Sequence, residues 1–70
     1  MGLKEDRMKC IGDRLTVLRD VRTRTGVARA IGISPSALAF YERGQRIPPD
    51  DVKAKLAAYY GVSIQHLFFE

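Results

Sequence analysis

GISPSALAFYERGQRIPP, residues 32–49, is the stretch on which the fold turns. Ser34 has the side chain of a helix N-cap, and Pro35 suits a first helical turn, where its missing N–H is no loss. Ile33 and Leu38 stand at the N′ and N4 positions of a hydrophobic staple, so a helix starts here with little slack. Pro48 and Pro49 end the loop that follows it. The helix has an unusual outward face. Pro35, Ser36, Ala37, Ala39 and Phe40 offer almost no hydrogen-bonding groups, so whatever it presents is mostly apolar.

Upstream, Thr23 can cap a shorter helix that carries Val27, Ala28 and Ile31 inward and ends at Gly32, where a left-handed residue is cheap. Before that, Ile11, Leu15 and Leu18 recur at i, i+4 and i+7 with Val21 one turn on, which predicts an amphipathic helix from about 8 to 21. Downstream, Asp50 and Asp51 put negative charge on the first turn of a helix whose apolar face holds Val52, Leu56, Ala57 and Tyr60. Gly61, Val62, Ser63 and Leu67 then repeat the spacing of Gly32, Ile33, Ser34 and Leu38, a shared way of turning a corner into a fifth, short helix. No β-branched alternation long enough for a strand occurs. The expected class is all-α: one compact five-helix bundle over residues 1–70, a length with no room for a second core.

Charge distribution narrows the function. The net charge is +4, and residues 22–46 account for it, with five Arg against Glu42 alone. The arginine fork suits phosphate and base edges better than a Lys ammonium does. A solvated basic face is the plain alternative. Its concentration around a helix-turn-helix signal favours nucleic acid. The start, MGLKEDRMKC, has charges where a signal peptide needs its apolar stretch, and no eighteen-residue apolar run exists, so a cytoplasmic protein without a membrane segment is expected. The single Cys10 reads as a small helix hydrophobe, with an intermolecular bridge or a reactive thiol as the less ordinary reading.

The pattern A-x-x-I-G-I-S, then L-x-x-Y-E-R-G and a Pro-bearing loop, resembles the Cro and lambda-repressor type of helix-turn-helix. Ala28, Ile31, Gly32, Ile33, Ser34, Leu38, Tyr41, Glu42, Arg43, Gly44 and Pro48 carry the resemblance, and it extends from about residue 9 to residue 69. It implies a helix-turn-helix over about 23–43, a third helix lying in the major groove of double-stranded DNA, and a homodimer that spaces two such helices about one DNA turn apart, roughly 34 Å. It also implies roles. Arg24 and Thr25, at the start of the second helix, fall where related repressors touch the DNA backbone. Pro35, Ser36, Ala39 and Phe40 fall where they reach bases. Arg43 and Arg46 are further backbone candidates. Family members pair the acid at Glu42 with an arginine of the first helix, here Arg19; a solvent-exposed acid is the alternative. The link between the first two helices is about two residues shorter than usual, which leaves the end of the first helix and the role of Arg22 to the structure.

Three placements are open to Phe40: the core beside Tyr41, a thymine methyl, or a protein-binding surface. The last would make the chain an adaptor or antirepressor on the same scaffold, since fold does not dictate function. Ser36 alone among the reading positions can hydrogen-bond, and a hydroxyl discriminates weakly, so DNA shape and backbone contacts must carry part of any specificity. An enzyme is not expected. Asp50 and Asp51 read as helix-start charges, His66 reads as a surface or packing residue, and Cys10 with His66 is too small a set for a metal; no cofactor or small-molecule substrate is expected. The tail SIQHLFFE places Leu67, Phe68 and Phe69 in succession, more than one short helix face can bury; Leu67 is the expected staple partner of Val62, which leaves Phe68 or Phe69 for the groove beneath the first helix or for a second subunit, and the three together are the candidates for dimerisation.

Overall fold

The computed structural model describes residues Leu3–Phe69, and side chains for residues 6–69; residues 1, 2 and 70 of the expected domain lie outside it. The helices are α1 Leu3–Arg19, α2 Arg24–Ile31, α3 Pro35–Glu42, α4 Asp50–Tyr60 and a single π-helical turn, α5, Gln65–Phe69. No strand occurs among the described residues, and none of their helices is long and apolar enough to cross a membrane.

One cluster forms the core. Ile11 and Leu15 of α1 meet Val27, Ala28 and Ile31 of α2, Leu38 and Tyr41 of α3, Val52 and Leu56 of α4, and Leu67 and Phe68 of α5. Leu18, Ile33, Ala37, Tyr60 and Val62 pack around it, so both staple pairs, Ile33 with Leu38 and Val62 with Leu67, belong to the same apolar body.

The two corners are built alike. Gly32 and Gly61 have φ of 80° and 70°, and the residue after each returns its N–H five positions back: Ile33 to the Ala28 carbonyl at 2.9 Å, Val62 to the Ala57 carbonyl at 3.0 Å. This is the Schellman closure, and the next helix starts two residues on at Pro35 and three residues on at Gln65. Ser34 Oγ then accepts from Ala37 N and Ser63 Oγ from His66 N, both at 3.0 Å. The same backbone closure ends α3 at Gly44, where Gln45 N donates to the Phe40 carbonyl at 2.9 Å.

α1 differs from the sequence expectation at both ends. It begins at Leu3 and stops at Arg19, because Asp20 takes a left-handed φ of 52° and turns the chain away. Val21 is therefore not on the buried stripe: it is 90% exposed. Arg22 folds back on the short link, donating to the Leu18 carbonyl at 3.2 Å with its guanidinium 5.8 Å from the centre of the Tyr59 ring.

The three apolar residues of the tail divide between core and surface. Leu67 and Phe68 are buried in the core of their own chain, at 0% and 2% exposure, and only Phe69 faces outward. Arg14 of α1 holds this turn in place by donating to the carbonyls of His66 and Leu67 at 3.1 and 3.3 Å. A cation against the last carbonyls of a helix is a favourable cap. Of the three dimerisation candidates, Phe69 alone is left at the surface.

Candidate nucleic-acid interface

The α2–turn–α3 unit is set against α1 by a glycine whose role the motif reading missed. Gly12 is buried where α1 crosses the end of α3, and a Cβ there would stand 2.9 Å from the Tyr41 carbonyl oxygen and closer still to that of Glu42. No side chain fits between the two backbones.

Glu42 sits beside this crossing, its side chain only 1% exposed, and each of its oxygens takes one arginine. Arg19 Nε donates to Oε2 at 2.7 Å, the pair expected. Arg24 Nε donates to Oε1, also at 2.7 Å. The second contact has no signature in the sequence, where the start of α2 points Arg24 outward toward a DNA backbone. Twin charge-assisted bonds satisfy a buried carboxylate that would otherwise be very unfavourable. Bonding to Glu42 is also the main reason that the Arg19 pKa is raised, with burial opposing it. Arg19 also donates to the Arg22 carbonyl at 2.8 Å, closing the α1–α2 link.

The triad leaves one positive charge in excess, and it lies toward α2. The Arg24 side chain is 37% exposed, twice the value for Arg19. The first turn of α2 contains no acidic residue, and Thr23 Oγ1 caps it by accepting from Gly26 N at 2.9 Å. A cation at that end opposes the helix dipole, and Glu42 offsets the penalty.

The N-terminal end of α3 is open: Ser34, Pro35 and Ser36 are all exposed. Ser36, Phe40 and Arg43 follow at i, i+4 and i+7 and form the outward stripe of α3, with Ala39 half-buried beside it. Phe40 is not in the core; it is 37% exposed, and the Arg46 guanidinium lies over its ring, 5.1 Å from the centroid. Thr25, Arg29, Ile33 and Pro35 line a cleft of about 170 Å³ between α2 and the start of α3. Arg29 thus joins Thr25 at this surface, a residue the motif reading passed over although it lies one helical turn beyond Thr25 on α2.

Four of the five central arginines therefore border α3: Arg24 through Glu42, Arg29 through the cleft, Arg43 at its C-terminal end and Arg46 over Phe40. Arg22 is the exception, turned toward α4. Among the described residues no group of His, Cys, Asp and Glu could hold a metal ion.

An all-α domain with a capped α2, a glycine corner and an exposed α3 fringed by arginine defines a helix-turn-helix protein. A family model described as helix-turn-helix matches residues 22–67, more than half of the chain. The chain belongs to that family, the Cro and lambda-repressor type of DNA-binding regulator. No individual characterised protein and no solved structure matches it significantly.

Proposed function

We propose that this chain is a cytoplasmic transcriptional repressor that occupies an operator as a homodimer, with α3 of each subunit in the major groove. The observation that carries the proposal is the stripe Ser36, Phe40 and Arg43, exposed along α3 and bordered by arginines on both flanks. Electrostatics provides the affinity and the stripe provides the preference.

Each residue has a part. Arg24, oriented by Glu42, and Thr25 meet the phosphate backbone at the start of α2, where exposed N–H groups also favour an anion. Arg43 and Arg46 meet it beyond α3. Pro35, Ser36, Ala39 and Phe40 face the bases. One chain has one reading helix, so a palindromic site needs two chains, and Phe69, 54% exposed, supplies an apolar contact for the second. Repression needs only occupancy of a promoter and therefore no further domain.

Fluorescence anisotropy against mixed duplex DNA over a range of salt tests the reading. Four or five phosphates neutralised per subunit give a log–log salt slope of about −4 per monomer. Absence of binding even at low salt, with a protein partner retained through Phe40, would instead make the chain an adaptor. Sedimentation at tens of micromolar tests the dimer, and a monomer on the operator itself would exclude it.

A further inference from the structure

The reading stripe carries a chemical preference of its own, and the inference here rests on the placement of α3 in the major groove proposed above. We infer that Phe40, held by Arg46, selects a pyrimidine bearing a 5-methyl group, thymine or 5-methylcytosine, at one position of each half-site.

The base edges in the major groove present hydrogen-bond donors and acceptors and two apolar groups at pyrimidine C5, the methyl of thymine and the bare C–H of cytosine; only the methyl projects far enough to fill an apolar contact. Phe40 has no polar atom with which to meet a donor or acceptor. Setting its ring against one would strip water from that group and return nothing. A methyl group is the complement it fits.

The ring is also held. The Arg46 guanidinium covers one face at 5.1 Å from the centroid, a cation–π distance, and ties the loop beyond α3 to its outward side. Ordering a side chain before binding reduces the entropy lost in the complex. On the helix itself, the neighbours on the N-terminal side of the ring offer little competition for a polar edge. Ala39 lies half-buried beside the ring, and Ser36, one turn earlier, contributes a single hydroxyl that accepts or donates equally well. With Arg43 assigned above to the phosphate backbone, the base-facing part of the stripe, Ser36 and Phe40, is indifferent to most of the hydrogen-bond code and sensitive to one apolar group.

The test is a selection of bound sequences from random duplex, followed by resynthesis of the enriched duplex with deoxyuridine replacing thymine one position at a time. Deoxyuridine keeps the pairing and every hydrogen-bonding group and removes only the methyl. Affinity is expected to fall about fourfold per methyl at one position in each half-site, the value of one buried methyl-sized group. Replacing that thymine·adenine pair by 5-methylcytosine·guanine should be tolerated better than replacing it by cytosine·guanine. Phe40→Ala, with unchanged far-UV circular dichroism, should bind thymine and deoxyuridine duplexes equally, and Phe40→Leu should keep part of the difference. Deoxyuridine tolerated at every position, while duplex binding stays salt-sensitive, would overturn the methyl preference and leave the DNA reading intact. No duplex binding at any salt concentration would overturn both.

Discussion

Arg24 Nε lies 2.7 Å from Oε1 of Glu42, so the first turn of α2 is tied to the last residue of α3 across the whole helix-turn-helix. Arg19 takes the other oxygen from α1. One carboxylate thus fixes three helices, and the arginine that faces outward is held by the same group that fixes the angle of the reading helix.

Loss of the two arginines should be non-additive. Arg19→Ala or Arg24→Ala leaves Glu42 one partner, and each should lower stability by about 1–2 kcal/mol. The double variant leaves a carboxylate buried with neither, at about 3–5 kcal/mol or more. A double-mutant cycle by urea denaturation measures the coupling, and simple additivity would show that the carboxylate swings out to water.

Arg24→Ala should also reduce the magnitude of the salt slope of DNA binding by about one. Arg22→Ala, on the α4 side, should not. Anisotropy titrations at several salt concentrations read both.

Gly12→Ala should destabilise the fold. The helix gains about 1 kcal/mol in propensity. Against that, the new methyl meets carbonyl oxygens of α3, and overpacking against backbone runs to about 1–3 kcal/mol. A net loss, read by thermal denaturation, is expected; a gain would mean that α1 can slide away from α3 freely.

Tyr60 has a buried hydroxyl with no hydrogen-bond partner among the described residues, and its pKa is pushed up to about 12, chiefly by burial and then by the nearby Glu42 charge. The unfolded chain gives up this proton near pH 10 and the folded chain only near 12. Stability from this group is therefore complete below pH 10, falls between 10 and 12, and is gone above. Tyr60→Phe should be neutral or stabilising at pH 7 and should flatten this alkaline decline. Denaturation of both proteins from pH 8 to 11 compares the slopes.

Much of the architecture was legible because local signals agreed. Thr23, Ser34 and Ser63 cap as their positions indicate, and Gly32 and Gly61 turn as their positions indicate. These are short-range effects, decided within one helical turn. What escaped depends on contacts distant in sequence. Nothing beside Gly12 announces that α3 crosses there. The acceptance of Arg24 by Glu42 spans eighteen positions, and Arg14 binds carbonyls on the turn that carries Phe68, more than fifty positions away. Val21 failed for a different reason: its periodicity was intact, but a left-handed Asp20 ended the helix first. The outward stripe of α3 was legible as residues. Arg46 settling on Phe40 was not, because it depends on how the loop closes.

Ser36, Phe40 and Arg43 lie outside the apolar cluster, while Leu38 and Tyr41 lie within it. The helix is therefore divided lengthwise into a half that keeps the molecule intact and a half that can be rewritten. An inherited change of target could proceed by exchanging three letters on an otherwise unchanged chassis, with folding and choice of partner free to vary independently.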